Sequence, residues 1–472
     1  MSDSAKTSTS LEPHEQTARG PVLNLLAGAL VWLLVGLALT CLASLKLHAP
    51  GCLPFSWATT GRLQAAAANV LLLGAAAQGG LGIALWLLAH LGKTPLACWG
   101  SAVLGTAIWN LALTAGVPVL LLGGSTGIPG LELPGSLGLI ILLGYLLVGA
   151  NGVAAIANCR RDGYAPAQWF ILGAVLWFAW IYSTSLVTTV FFPGRGVLTA
   201  LSAGWFTQGS FWLFFAPLAL AALYHYVPEL TGNSLRSSEL APLAFWSLAL
   251  FGGWTAATGI VGGPLPAWVI TVSVAAGMLL AIPVLLATVN LLSPFGLGST
   301  AGRFAQFSLL AFLFGGLGKA LTSLRCANEL LHFTRFEVAL NELLLFGFVF
   351  GAIFAAAYVL VPKLVGRRLP NGALANAHVA LSALGLVIAV AAYAIGGWKQ
   401  GWALNFTSAD LLSINAELKP FLRLHTAGLA VFLLGQVAFG ANVVLLVASF
   451  VLPVGRTLVA EVITGSAPAP AK

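Results

Sequence analysis

Charged side chains are scarce in this sequence of 472 residues: they make up 7% of it, whereas 59% of the residues are hydrophobic. A soluble domain carries roughly a quarter of its residues as charged side chains, so the composition excludes a water-soluble globule. The mean hydropathy is +0.96 over the whole length. This excludes a soluble enzyme on a single anchor, because no stretch of soluble composition remains.

Closely spaced cysteines are also absent, although the chain has five cysteines. A metal knuckle needs a pair two residues apart, and a disulfide framework needs a denser pattern in a small chain. Neither is present, and we expect these cysteines to be small core residues: Cys41, Cys52, Cys98, Cys159 and Cys326.

Long apolar runs are abundant, and each is long enough for a spanning helix of about 20 residues. Strands of a membrane barrel would instead be short and alternating, so the sequence predicts an all-α, polytopic membrane protein. Glycine, with 54 residues, is expected at close helix contacts. About twelve runs are present, near 21–45, 64–90, 97–122, 136–157, 167–192, 198–228, 240–261, 267–292, 302–324, 337–363, 375–396 and 424–453.

The pattern predicts a polar N-terminal tail at 1–20, one transmembrane domain at 21–453 and a short C-terminal tail at 454–472. The longest loops are expected at 46–62, 123–135, 229–239 and 397–423. The first apolar run is too long for a signal-peptide core, so it is expected to be a retained span. Of the 21 Lys and Arg residues, 12 fall on the side of the N-terminus, which favours a cytoplasmic N-terminus. The net charge of +8 is therefore read as an orientation signal and not as nucleic-acid binding.

Ionisable residues inside spans are costly and indicate functional sites. Six such residues occur in GKALTSLRCANELLHFTRFEVALNE, and most are expected at helix ends and in a loop at the outer surface: Lys319, Arg325, Glu329, Arg335, Glu337 and Glu342. Glu342 differs, because the apolar residues after it carry it inward. Its carboxyl group should be protonated, paired or bound to a ligand.

Histidines in the middle of spans are not evident in the pattern. Haem and copper sites in membranes need imidazoles that face one another from different helices. The seven histidines lie in the tail or at or near the ends of the predicted spans, where interfacial positions are expected: His14, His48, His90, His225, His332, His378 and His425.

Several ordered stretches resemble subunit I, the catalytic subunit, of haem–copper oxidases, most closely the cbb3-type (C-type) branch. They include CLASLKLHAPGCLPFSWATTGRLQ, GWFTQGSFWLFFAPLALAALYHYVPELTG, FWSLALFGGWTAATGIVGGPLPAWVITVSVAAG and SLRCANELLHFTRFEVALNELLLFGFVFG. The resemblance implies a bundle of about twelve helices around a haem pocket. Its activity would be oxygen reduction by cytochrome c oxidase.

The resemblance also implies six metal-binding histidines and an active-site tyrosine, and all seven positions hold other residues. Alanine, leucine, glycine and threonine offer no donor able to hold iron, and glutamine is a poor copper ligand. The haem positions are Ala67, Leu340 and Glu342, and the copper and tyrosine positions are Gln208, Gly252, Thr258 and Gly259. We therefore expect no catalysis by this chain alone, and no haem or metal cofactor.

Three functions fit these features. The first is a ligand-free, structural or accessory subunit in the bacterial inner membrane, beside a ligand-complete paralogue, a c-type cytochrome or other respiratory subunits. The second is an oxidase or electron-transfer subunit that holds haem b through non-standard ligands, with Glu342 and either His332 or His425. The third is a proton-conducting or transport module built on Lys319, Glu329 and Glu342.

Overall fold

The structure is a computed structural model that describes residues 11–160, 163–292 and 298–464, with side chains described to residue 449. Within these ranges every regular element is helical, so the predicted all-α membrane fold is confirmed. Eleven helices of the described chain are long and apolar enough to cross a membrane. We number twelve helices: α1 Pro13–His48, α2 Thr60–Gly92, α3 Trp99–Leu121, α4 Gly135–Ala157, α5 Pro166–Phe191, α6 Val197–Thr231, α7 Leu240–Gly252, α8 Ala267–Leu291, α9 Thr300–Thr322, α10 Arg335–Val365, α11 Gly372–Phe406 and α12 Leu411–Thr464.

The seventh predicted span forms a shorter helix than expected. Helix α7 has 13 residues and stops at Gly252, and a 3₁₀ segment then covers Thr255–Ile260. Glycine is a poor helix former, and two glycines follow one another at this point. The Thr255 hydroxyl also donates to the carbonyl of Gly252 at 3.0 Å, which favours the tighter turn over a continued α-helix.

The prediction of a loop at 397–423 is wrong, because helices α11 and α12 extend into this range and leave only residues 407–410 between them. Helix α11 continues because its glycines let it lie directly against neighbouring backbone. A side chain at Gly397 would collide with the amide of Phe336, and one at Gly401 would collide with the carbonyl of Leu330. Contact with α10 and with the short helix Arg325–Leu331 that precedes it therefore supports the added turns of α11.

The predicted tails are partly helical. Helix α1 begins at Pro13, where the Glu15 side chain accepts a hydrogen bond from the amide of Glu12 at 3.0 Å. Glu15 is buried and also contacts Lys363 at 3.1 Å and His90 at 2.7 Å, which fastens this end of α1 to α10 and α2. Helix α12 continues to Thr464. Residues 1–10 and 465–472 of the predicted tails lie outside the described residues.

Glycine allows the helices to approach closely, as the composition predicted. A side chain on Gly105 in α3 would lie 2.6 Å from the carbonyl oxygen of Gly144 in α4, and one on Gly144 would lie 2.7 Å from the carbonyl oxygen of Gly105. Neither helix can gain a methyl group here without moving. Contacts of this kind replace the hydrophobic effect as the source of helix association in lipid.

Four of the helices contain a π-helical turn, in which an additional residue is accommodated within the helix. These turns are Val70–Ala76 in α2, Leu186–Phe191 in α5, Phe211–Phe215 in α6 and Leu343–Val349 in α10. Such turns widen a helix locally and occur frequently at functional sites. Those of α2, α6 and α10 all line one cavity.

Candidate functional site

Helices α2, α6 and α10 each have a π turn shortly after a position where the resemblance implies a metal ligand. Ala67 precedes the π turn of α2 by three residues, since that turn begins at Val70. Gln208 stands in the same relation to Phe211 in α6, and Leu340 to Leu343 in α10. Three separate helices therefore place the same backbone distortion after a position where the resemblance implies a metal ligand.

Two cavities lie beside the positions where the resemblance implies metal ligands. The larger of these two lies among these helices and α9, with a volume of about 450 Å³. This volume is within the 300–1,000 Å³ range of small-molecule sites. Most of its wall is apolar, and five polar or charged side chains reach it besides Thr207. They are Gln208, Ser210, Lys319, Glu337 and Asn341.

A charged cluster of Lys319, His332 and Glu337 adjoins the larger cavity. The Glu337 carboxylate contacts Lys319 Nζ at 3.3 Å and His332 Nδ1 at 2.8 Å. The other ring nitrogen of His332 lies 2.9 Å from the carbonyl oxygen of Gly259. Both nitrogens of His332 thus face acceptors, so both carry hydrogen and the ring is cationic. The hydrogen bond with Glu337 raises the pKa of His332 above its ordinary value, in agreement with this assignment.

Of the three α7-region positions, Thr258 and Gly259 lie beside this cluster, whereas Gly252 packs against Trp212. Thr258 and Gly259 are in the 3₁₀ segment, and Gly252 ends α7. Thr258 donates to the carbonyl of Thr255 at 2.8 Å and accepts from Asn328 through its own carbonyl at 3.1 Å. A polar cleft of about 20 Å³ lies here, which is room for one water. The hydroxyl and carbonyl groups of this segment are occupied by structural bonds.

The smaller cavity, of about 240 Å³, lies on the other side of Ala68 and Leu71, which line both cavities. It brings together Ala67, Glu342 and His425 from three helices, with Arg335 and Gln64 as further polar groups. Leu340 does not line it; this buried side chain packs against Gly318 instead.

His425 and Glu342 form a buried pair in the wall of the smaller cavity. The carboxylate lies 2.9 Å from Nε2 of His425. Nδ1 of the same ring lies 2.9 Å from the hydroxyl of Ser44. The ring stacks on Tyr393 with centroids 3.4 Å apart and planes 4° apart. Both ring nitrogens and one ring face of His425 are therefore engaged by the protein.

A chain of hydrogen bonds connects this pair to His48 at the end of α1. The Ser44 and Thr426 hydroxyls are 2.7 Å apart, and Thr426 is 3.1 Å from Nε2 of His48. Thr426 gives its one hydrogen to the carbonyl of Leu422, so Ser44 must donate to Thr426 and accept from His425. Nδ1 of His425 is thus protonated, and one further proton is shared between Nε2 and Glu342.

The sequence placed the histidines in the tail or at or near the ends of spans, and two of them are buried among the helices. His378 and His425 are 0% and 2% exposed. Helix α12 begins thirteen residues earlier than the predicted span, which puts His425 within the bundle. His378 satisfies both nitrogens, with Tyr358 at 3.0 Å and Gln436 at 2.9 Å. His332 does not join Glu342, since its partners are Glu337 and Gly259.

Within the charged stretch, Arg325 and Glu329 are exposed, whereas Lys319 reaches the larger cavity and only 11% of its side chain is exposed. Ser210 and Glu132 were not predicted from the sequence. Glu132, in the loop before α4, accepts from Asn69 at 2.7 Å, and burial raises the pKa of its carboxyl group. An isolated serine or loop carboxylate has no spacing that distinguishes it from an ordinary one.

The donors present do not match a haem or copper centre. Ala67 and Leu340 carry no donor atom, and the ring nitrogens of His425 are both engaged. Within the part of the chain that the structure describes, no three His, Cys, Asp or Glu side chains are grouped so as to hold a metal ion. A copper site needs a group of such donors, whereas haem iron needs an axial ligand, and Ala67 and Leu340 offer none.

Comparison with known families identifies similarity over most of the chain. The family model described as "Cytochrome C and Quinol oxidase polypeptide I" matches residues 20–432. A cytochrome c oxidase subunit 1 homolog of Agrobacterium tumefaciens is 24% identical over 330 residues, which cover 64% of this chain and 60% of that protein. A bacteroid homolog of Bradyrhizobium diazoefficiens is 22% identical over 329 residues, covering 64% and 58%.

A Cbb3-type cytochrome c oxidase subunit of Stutzerimonas stutzeri is 23% identical over 266 residues, covering 52% of this chain and 55% of that protein. This chain thus spans less than two thirds of the length of these relatives. Among solved structures, a cryo-EM structure of a heme-copper terminal oxidase dimer has a TM-score of 0.76 and 13% identity, and covers 90% of this chain and 83% of its own. This last likeness supports the fold alone.

Proposed function

Because the chain belongs to the cytochrome c and quinol oxidase polypeptide I family, we propose that it is a subunit I-like membrane protein that has lost its metal ligands. It keeps the cavity and the scaffold around it. In this proposal it serves as a non-catalytic structural or accessory subunit of a respiratory electron-transfer complex in the bacterial inner membrane, with its N-terminus in the cytoplasm.

The observation that carries this proposal is the repeated π turn. Ala67, Gln208 and Leu340 each precede such a turn by three residues, in α2, α6 and α10. Packing of the three helices around a cavity does not depend on the ligand side chains. The backbone distortion therefore persists where the imidazoles are missing, which is expected of a chain derived from a cofactor-binding ancestor.

The chemistry of the remaining donors also supports the proposal. Glu342 occupies a haem-ligand position, yet it shares a proton with His425 and both ring nitrogens of that histidine are engaged. To bind iron, either group would have to give up a buried hydrogen bond, which leaves its partner unsatisfied at a cost of about 1–3 kcal/mol. This argues against haem b held by Glu342 with His332 or His425.

The test is purification from the native membrane under mild conditions, with haem quantification and an optical spectrum on the same sample. We expect less than one haem per ten chains after partner cytochromes are removed, and no sharp reduced α-band from the chain itself. A stoichiometric haem with such a band, retained after the partners are stripped off and lost in Glu342→Leu, would overturn the proposal in favour of non-standard ligation.

Partners are identified in the same purification. We expect the chain to co-purify with a ligand-complete subunit I, a c-type cytochrome or other respiratory subunits. Deletion of this chain should lower the assembled amount of that complex. It should leave the turnover of each complex that remains unchanged, because an accessory subunit acts on assembly and not on chemistry. A chain that purifies alone, with no effect of its deletion on any respiratory complex, contradicts this role.

The hydrogen-bond chain from Glu342 to His48 supports a second candidate, a proton-conducting module. Its side chains are linked by contacts of 2.7–3.1 Å through His425, Ser44 and Thr426. Proton flux into liposomes distinguishes this function: Glu342→Gln should abolish flux if the chain conducts. Equal flux through the wild-type protein, Glu342→Gln and protein-free liposomes would end this candidate.

A further inference from the structure

The larger cavity has an unsatisfied polar group, the Ser210 hydroxyl, that the loss of haem and copper does not explain. Ser210 lines the cavity and is 4% exposed, and its buried hydroxyl has no hydrogen-bond partner among the described residues. A buried hydroxyl without a partner costs free energy. Native proteins usually supply such a group with an acceptor, an ordered water or a ligand.

The charges beside the cavity do not balance. Lys319 and His332 are both cationic, and they share a single carboxylate, Glu337. The shorter contact of that carboxylate, 2.8 Å, is to His332, and Lys319 lies at 3.3 Å. Lys319 and Glu337 are the charged residues among those that line the cavity. An excess positive charge in an apolar setting is costly unless an anion neutralises it.

The shape of the cavity separates its polar and apolar parts. Gln208, Lys319 and Glu337 line both the cavity and the adjoining polar cleft, so the polar groups meet at that junction. Leucine and phenylalanine side chains, such as Leu72 and Phe211, form much of the remaining wall. A ligand that matches this arrangement has one small anionic head and an apolar body.

We propose that the larger cavity binds an amphipathic carboxylate, with the head group at Lys319 and the aliphatic body between α2, α6 and α10. This inference rests on the proposed function, because a haem in the same place would exclude the ligand. The head group would accept a hydrogen bond from Lys319 and would neutralise the excess charge, and rotation of the Ser210 side chain would turn its hydroxyl toward the cavity to donate a second one. A cation would face Lys319 unfavourably, and a neutral head group would leave the charge uncompensated.

Decanoate, decan-1-ol and decylammonium are suitable probes, because they share one aliphatic chain and differ in head-group charge. Binding is measured on the full chain in nanodiscs of zwitterionic lipid, by calorimetry and by the ligand-induced shift in unfolding temperature. We expect decanoate to bind at least tenfold more tightly than decan-1-ol, and decylammonium to give no shift. Equal binding of decanoate and decan-1-ol would overturn the proposal.

Substitutions locate the head group. Lys319→Met should weaken decanoate binding at least tenfold, whereas Lys419→Met, which removes an exposed lysine far along the sequence in α12, should leave it unchanged. Ser210→Ala should weaken binding a few-fold while the unfolding temperature without ligand stays the same or rises, and it keeps the test valid if Lys319→Met does not fold. Unchanged decanoate affinity in Ser210→Ala and in a folded Lys319→Met would refute the assignment.

The haem and decanoate measurements distinguish failure of the proposed function from failure of the ligand proposal. If the purified chain holds stoichiometric haem, both the proposed function and the ligand fail. If it holds no haem and does not bind decanoate, only the ligand proposal fails. A lysophosphatidate arm separates head-group classes: binding of lysophosphatidate without binding of decanoate would replace the carboxylate by a phosphate and overturn the proposal as stated.

Discussion

The two cavities differ in how the protein fills the places of the implied ligands. In the smaller cavity, Glu342 and His425 satisfy one another, with Ser44 and Tyr393 completing the arrangement. In the larger cavity, Ser210 has no partner in the described structure and the charges do not balance. Under the proposed function, the comparison teaches that lost metal ligands are compensated internally in the smaller cavity, whereas the larger cavity stays open to the ligand that we propose.

The largest expected effect comes from breaking the pair of His425 and Glu342 in the wall of the smaller cavity. His425→Leu leaves the Glu342 carboxylate, 12% exposed, without its partner. Breaking a buried pair in this way costs about 3–5 kcal/mol. Unfolding in detergent measures the loss.

The double variant Glu342→Leu/His425→Leu is the control, because two apolar side chains leave no buried charge. We expect it to recover most of the stability lost by His425→Leu. A double variant as unstable as the single one would mean that the pair does not act as a unit.

Substitution of one serine beside each cavity tests the difference between the two cavities. Ser44→Ala removes a partner of both His425 and Thr426 and should cost about 1–3 kcal/mol. Ser210→Ala removes a buried hydroxyl that makes no bond to another described residue, so it should leave the stability of ligand-free protein unchanged or raise it by about 1 kcal/mol. Denaturation of the two variants side by side is the measurement, and equal losses would contradict the difference drawn between the cavities.

The stability of the protein should depend on pH through His332, which belongs to the charged cluster beside the larger cavity. Its pKa is raised above 6.5 in the folded protein, first through the hydrogen bond with Glu337. The folded state therefore binds this proton more tightly than the unfolded state does, and the resulting stability is fully present below pH 6.5.

That stability is lost as the pH rises through the raised pKa. His332→Gln should therefore destabilise the protein more at pH 6 than at pH 9, as seen in unfolding temperatures across this range. His14→Gln, in the N-terminal segment, is the control. A stability difference between His332→Gln and the wild type that does not vary with pH would contradict the cationic assignment.

The smallest effect is expected at Glu132, beside the larger cavity. Burial raises the pKa of this carboxyl group above 4.5, so the folded state disfavours its charged form. Stability is then lost as the pH rises from 4.5 through the raised pKa. Glu132→Gln should remove this loss and stabilise the protein slightly at pH 7 but not at pH 4. Equal stability of both proteins at the two pH values would show that the burial has no energetic consequence.

The membrane fold could be predicted because its signal is repeated in every span. Helix ends were less certain: α11 and α12 extend through glycines whose backbone contacts involve residues distant in the sequence, such as Phe336. The end of α7 at Gly252 has a local signal, the glycine pair, which the apolar character of the run obscured.

The site was predicted to a different degree at each position. Glu342 stood out because an apolar run follows it, and the structure gives it His425 as a partner. His425 itself was placed at an interface, because the beginning of α12 could not be located from hydropathy. Ser210 became distinctive only through what surrounds it: its missing partner is a property of the packed helices and has no counterpart in the sequence.

The π turns also affect how α2, α6 and α10 can diverge. One additional residue rotates the following part of a helix by about 100° relative to an uninterrupted one. The face that a helix presents before its π turn is therefore independent of the face that it presents after the turn. Ala67, for example, lies on the segment before Val70–Ala76. Deleting one residue from such a turn would rotate every later contact of that helix, whereas a replacement before it alters one face only. At these positions a substitution therefore changes one face of the helix, whereas a change of length alters the packing of the whole remaining helix.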